Sequence, residues 1–338
     1  MRFPVPDSIA AFIRALPKTE THLHFEGALP FELLNRVRPD LFPEPPASWH
    51  QDYRFPDFRT FEKSLLEMAG HWFTSPDRYH EAAQVLFKRL YEEQNVRYLE
   101  TSFASGLMEF GNMDGRVTAE AIRTAAPAGM EVRVFMGIHH VGYHEGTQDW
   151  IDASIHWPHL DGIDLHGPET APLEEWAAGL WARARTQGMV TKAHAGEFDG
   201  PWFVRRVVDE LGVRRVQHGV RSLEDPTVIA HLVKYDVTLD ICPVSNVKLG
   251  VVPSYDAHPI GRLMDEGIRC TVSTDDPLVF GSTLQDEYEL LASQLGFDPA
   301  RLAGVARAGF EIASVDDAWR AERLAEIDLV LASNAAAA

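Results

Sequence analysis

Thr21-His22-Leu23-His24-Phe25-Glu26-Gly27 alternates polar and apolar side chains and ends in a glycine. On a β-strand, alternate side chains share a face. His22 and His24 therefore project together, with Leu23 and Phe25 packed on the other side. Two neutral imidazoles converging from one strand make half of a metal site. One His-x-His among 15 histidines in 338 residues is weak evidence alone. It gains weight from polar residues that recur at the ends of later apolar runs.

Those runs are Val96–Phe103, Val132–Ile138, Gly162–Leu165, Val190–Ala193, Arg214–Gln217, Val237–Cys242 and Arg269–Ser273. Helical patterns lie between them, after two near 60–73 and 77–94 that precede the second strand. Short, continuous apolar strands alternating with helices read as a parallel sheet. Eight such units in under 300 residues predict an α/β chain folded as a (β/α)8 TIM barrel. A capped helix at 7–16 precedes it and several helices beyond 282 close it. The reading is one barrel domain over 1–330, with the alanine-rich 331–338 a frayed tail. The Pro- and aromatic-rich segment 37–58 is expected to be a lid-like excursion packed over a site. Trp49, Phe55, Phe58 and Phe61 line such a lid or, more often for aromatics, belong to the core.

Bulk properties narrow the function. A net charge of −19, from 31 basic and 50 acidic residues, argues against nucleic acid or an anionic membrane as partner. The only cysteines, Cys242 and Cys270, sit in apolar runs and read as buried free thiols of a reducing compartment. No signal-peptide core or membrane-length run is present. The expectation is a cytoplasmic protein acting on a small molecule.

In a barrel of this kind the chemistry sits where strands end. Here strand one ends in His22, His24 and Glu26, and strand four in Asp164-Leu165-His166-Gly167. Strand five ends in His194-Ala195-Gly196-Glu197, strand six in His218-Gly219, and strand eight in Thr274-Asp275-Asp276-Pro277. Core packing does not require imidazoles and carboxylates at five separate strand ends. A single catalytic Zn²⁺ takes a few N/O ligands and keeps one position for water. His22, His24, His194 and one aspartate of the Asp275-Asp276 pair supply such a set. The second aspartate is left to orient the attacking water, His218 to stabilise it, and Glu197, at the mouth of a helix, to donate a proton. Lys192 should point into the barrel and need a carboxylate such as Asp240 or Asp164. His139 and His140 read as rim or packing residues.

The set HLHFEG, HAGE, QHG and STDDP, together with DLHGPE and CPVSN, resembles the adenosine deaminase family from about residue 15 to 290. The resemblance implies a (β/α)8 barrel holding one zinc ion, with His22, His24, His194 and Asp275 as ligands. It implies that Glu197 protonates N1 of a purine, that His218 and Asp276 position and activate the water attacking C6, and that the Gly167 backbone contacts the ring. Two positions depart from the adenosine-specific pattern. Glu26 stands where an aspartate contacts ribose, and His166 where alanine is usual; both are candidate substrate contacts. HxHxEG and PxSNxKL look more like the adenine and 6-aminodeoxyfutalosine branches. The implied substrate is thus a 6-aminopurine: adenosine, adenine or an N9-substituted analogue. A barrel metallohydrolase with two metals, acting on an amide or ester, is the alternative; the absence of a lysine at the end of strand four disfavours it.

Overall fold

A computed structural model describes residues 3–337. Eight parallel strands follow one another around a sheet in strict chain order. They are β1 Lys18–His24, β2 Val96–Ala104, β3 Glu131–His139, β4 Gly162–His166, β5 Val190–Ala195, β6 Arg215–His218, β7 Thr238–Ile241 and β8 Arg269–Val272. Helices lie between consecutive strands, and apolar side chains from strands and helices form one continuous core. This is the (β/α)8 barrel expected from the alternation.

The ring closes at its C-terminal rim. The Asp275 amide donates to the His22 carbonyl at 3.1 Å, and the His24 amide donates to the Asp275 carbonyl at 3.0 Å. β1 also carries a bulge, because Glu20 pairs with Leu99 but Leu23 pairs with Thr101. The extra residue falls at Thr21-His22 and re-aims that turn of strand towards the rim.

Inside the barrel lies a charged layer. Lys192 Nζ sits 2.5 Å from Glu100 Oε2 and 3.9 Å from Asp240 Oδ2. Arg215 reaches the same two acids at 2.9 and 2.8 Å. The expected counter-ion Asp240 is present but more distant. Glu100 is the closer partner of Lys192, and Asp164 turns instead to His166, His194 and Gln217. Two cations facing two anions make the layer neutral, which is the condition for burying it.

Several boundaries differ from the sequence reading. The helix Asp317–Ala337 runs through most of the stretch expected to fray, since alanine favours helix without needing packing; residue 338 lies outside the described residues. Cys242 and Cys270 are buried and unbridged. Among the described residues, no helix is long and apolar enough to cross a membrane.

Candidate active site

Four side chains from three parts of the chain meet at the C-terminal rim. His22 and His24 leave β1, His194 leaves β5, and Asp275 follows β8. Their ligand atoms all lie within 4.8 Å of one another. His194 Nε2 is 3.1 Å from both His22 Nε2 and His24 Nε2. Asp275 Oδ1 is 3.3 Å from His22 Nε2 and 3.1 Å from His24 Nε2. Two of the rings have fixed tautomers. His22 Nδ1 faces the Asp240 carbonyl at 3.0 Å and His194 Nδ1 the Leu165 carbonyl at 2.9 Å. A carbonyl only accepts, so both Nδ1 atoms carry the proton and both Nε2 atoms present lone pairs. Converging lone pairs beside a carboxylate fit a divalent metal ion, and the carbonyl contacts are the outer support such rings require.

The electrostatics agree. Burial alone would lower the His24 pKa, but Asp276 and Asp275 lift it to about 9. The environment therefore demands positive charge. Two residues here also hold left-handed backbone, Asp275 at φ 65° and His218 at φ 63°. Such conformations cost about 1–3 kcal/mol for a non-glycine residue and persist where surrounding structure enforces them. For Asp275 the enforcing structure is the barrel closure itself.

Beside this cluster stand Glu197, His218 and Asp276, all buried. His218 Nε2 lies 3.5 Å from Glu197 Oε2. Glu197 Oε1 and Asp276 Oδ1 find no hydrogen-bond partner among the described residues. Burial, then the charges of Asp275, Glu169 and Asp276, pushes the Glu197 carboxyl well above the usual range. Burial is also the leading cause of the rise at Asp276. Glu197 sits in the loop ahead of the helix Pro201–Arg206 rather than in its first turn. Asp276 precedes the short helix Pro277–Phe280, but its side chain makes no capping bond there.

These groups form the floor of a cavity of about 510 Å³, within the range of small-molecule sites. Glu26, His166, Gly167 and His139 line it as well. Glu26 does not hang free: Tyr79 donates to its Oε1 at 2.7 Å and the Ala104 amide at 3.1 Å. His166 Nε2 sits 3.3 Å from Asp164 Oδ2; burial, then His24, pushes its pKa down to about 3. Gly167 has φ 94°, and a Cβ there would stand 2.3 Å from His139 Nε2. His140 lies outside the lining, its ring near Phe203 and its Nδ1 donating to the Pro172 carbonyl at 3.2 Å.

The cover over the cavity differs from expectation. Of segment 37–58 only Phe58 reaches the lining; the wall is the amphipathic helix Phe58–Gly70, through Phe58, Phe61, Leu65 and Leu66. The Pro-rich stretch is a strap. Ser48 donates to the Val279 carbonyl at 2.7 Å, Trp49 Nε1 to the Leu278 carbonyl at 2.8 Å, and the Phe55 amide to the Lys248 carbonyl at 2.8 Å. Lys248 Nζ donates to the Ser48 and His50 carbonyls.

Two supporting residues carried no role in the sequence reading. Glu169 Oε1 accepts from the Glu197 amide at 2.9 Å and its Oε2 from the Asp199 amide at 2.6 Å, which fixes the loop bearing Glu197. Asn246 contacts His218 at 3.1 Å. Both lie in motifs at strand ends, DLHGPE and CPVSN, and that position was the available signal.

Comparison with known proteins agrees with this architecture. The adenosine deaminase family profile matches residues 17–330. The adenine deaminase of Sphingopyxis alaskensis is 32% identical over 330 residues, covering 94% of this chain and 96% of its own. The aminodeoxyfutalosine deaminase of Streptomyces avermitilis is 30% identical over 339 residues, covering 96% and 93%. Among solved structures, adenine deaminase from Arthrobacter aurescens superposes with a TM-score of 0.82 at 24% identity, covering 93% of this chain and 98% of that one. An amidohydrolase from Burkholderia ambifaria, solved with bound zinc, gives 0.82 at 24% identity, covering 98% and 96%. The chain belongs to the adenosine deaminase family of hydrolytic deaminases.

Proposed function

We propose that this enzyme hydrolytically removes the 6-amino group of a 6-aminopurine, releasing ammonia and the 6-oxo purine. One Zn²⁺ per chain would be held by His22, His24, His194 and Asp275. The observation that carries the reading is the convergence of that ligand set with two partnerless buried carboxyl oxygens, on Glu197 and Asp276, at the floor of one cavity. The names of the two curated relatives and the zinc-bound neighbour support it.

Bound zinc supplies Lewis acidity that makes water nucleophilic near neutral pH. The chain's own groups do the rest. Glu197, whose buried carboxyl faces His218 at the floor of the cavity, delivers a proton to ring N1 as C6 is attacked. Asp276 accepts the proton of the attacking water. His218 stabilises the charge that develops on oxygen. Gly167 and the helix Phe58–Gly70 hold the base and exclude bulk water, while His166 and Glu26 shape the rim.

The outer cavity bears on which 6-aminopurine fits. Leu65, Leu66, Leu107 and Phe110 line it, and none of its lining residues is a lysine or arginine. Phosphate recognition ordinarily uses such cations. An adenine carrying an uncharged or apolar extension at the edge remote from C6 is therefore favoured over a nucleotide. We place the reaction in the cytoplasm, on the two buried free thiols. The deciding assay is ammonia release by zinc-loaded protein from adenine, adenosine, an N9-arylalkyl adenine and AMP. Turnover of a neutral member, with AMP slowest, is expected. No turnover of any 6-aminopurine with one zinc bound would overturn the reading.

A further inference from the structure

Behind His218, away from the cavity, a line of hydrogen bonds runs back to the main chain. The Ile260 amide donates to His258 Nδ1 at 3.3 Å. A backbone N–H donates only, so Nδ1 of that ring is an acceptor. Burial pushes the His258 pKa down to about 3, so the ring is neutral and its single proton is on Nε2. That Nε2–H donates to Asn246 Oδ1 at 3.2 Å. With its oxygen engaged there, Asn246 turns its amide nitrogen to His218 and donates to Nδ1 at 3.1 Å. The direction of every bond follows from the first. Asn246 and His258 are 0% and 5% exposed, which leaves little room for solvent to offer another arrangement.

We propose that Asn246, braced by His258, is a positioning residue that holds neutral His218 with its proton on Nε2. His218 then points a donor into the cavity and cannot take the proton of the attacking water. The inference rests on the deaminase reading for its catalytic meaning, though not for the tautomer itself. In the reaction the water oxygen bonds to C6 and its O–H breaks towards Asp276. The electron pair of the C6–N1 double bond moves to N1, which gains the Glu197 proton. His218 Nε2–H stabilises the oxygen throughout and keeps its own proton. Collapse then breaks the C6–N bond: the departing amino group takes the proton held by Asp276 and leaves as ammonia, the N1 proton stays on the ring, and the remaining hydroxyl proton passes from the oxygen to Glu197 as the C6 carbonyl forms.

The tautomer is directly measurable. Metal-loaded full-length protein labelled with ¹⁵N-histidine gives two-bond ¹H–¹⁵N correlations that separate a bare ring nitrogen from a protonated one; His218 is assigned by its loss in His218→Asn. A bare Nδ1 and a protonated Nε2 are expected. Asn246→Asp keeps the shape but replaces the donor with an acceptor. It should invert the tautomer and lower kcat by about 10²–10³-fold, the cost of losing one donor to a developing oxyanion, with KM and zinc content little changed. His258→Gln, which keeps a donor, should retain more kcat than His258→Leu. A wild-type spectrum with the proton on Nδ1 overturns the proposal, as does an Asn246→Asp variant that keeps both tautomer and kcat. If Asn246→Asp does not fold, the wild-type spectrum and the His258 pair still decide. A correct tautomer in a protein that turns over no aminopurine refutes the deaminase reading and leaves the positioning intact.

Discussion

Gly27 and Asp276 share one space. A Cβ built on Gly27 would stand 1.7 Å from Asp276 Oδ1, the same carboxyl oxygen that finds no hydrogen-bond partner among the described residues. The glycine of HLHFEG thus makes room for the acid of STDDP. Gly27→Ala should displace that carboxylate by about an ångström and lower kcat roughly 10²-fold, the cost of such a misplacement. Zinc content should hold, because the proposed ligand is the neighbouring Asp275 and not Asp276. Steady-state kinetics beside metal analysis check this.

Glu197→Gln should lower kcat by about 10²–10⁴-fold, the usual contribution of a positioned acid, and leave substrate binding nearly intact. Burial first, then Asp275, Glu169 and Asp276, hold the wild-type carboxyl well above its ordinary value. In the proposed role the active form is the protonated one, which is lost as pH rises through that elevated pKa. The kcat/KM profile should fall on its alkaline side, and the glutamine variant should lack that limb.

Removing the metal should destabilise the fold as well as stop turnover, because the four proposed ligands come from β1, β5 and the loop after β8 and a shared ion would tie these together. A ligand present at 1,000 times its Kd contributes about 4 kcal/mol, so the melting temperature should drop by about 6 °C after chelation in a chain of this size. One equivalent of zinc should restore both; calorimetry and metal titration read the result.

Glu100→Gln should cost about 3–5 kcal/mol by leaving Lys192 and Arg215 short of countercharge in the barrel interior. Burial alone would raise the Glu100 pKa, but Arg215 and Lys192 outweigh it and hold it at about 2. The folded value lies below the ordinary 4.5. Its stabilisation is therefore complete above about pH 4.5 and is lost as pH falls towards 2. Denaturant melts across that window should show an acid-side decline that is smaller in the variant.

Much of this was legible because it is local. Strand alternation, and side chains such as His22, His194 and Asp276 placed just past apolar runs, need only the period of a strand and the rule that chemistry sits at strand ends. What was not legible depends on how the barrel closes. Glu100 and Lys192 are 92 residues apart in sequence, and which inward-facing acid meets the lysine is decided by the stagger between strands. Glu169 and Asn246 stood in recognised motifs, yet their roles are contacts to the Glu197 loop 28 residues on and to His218 28 residues back. Proline and aromatic content marks the irregular chain at 37–58, of which only Phe58 lines the cavity; the rest of the wall follows the spacing of Phe58, Phe61 and Leu65 on a helix.

The helix Pro243–Lys248 carries both Asn246 and Lys248, two residues apart. One faces His218; the other holds the strap at Ser48 and His50. Residues 37–58 are thus no interchangeable module. The Lys248 bonds end on the main-chain carbonyls of Ser48 and His50, so a chimera that replaces this stretch must keep their backbone path to satisfy the buried ammonium. Changes in the strap and in the bracing of His218 are thereby coupled through one short helix.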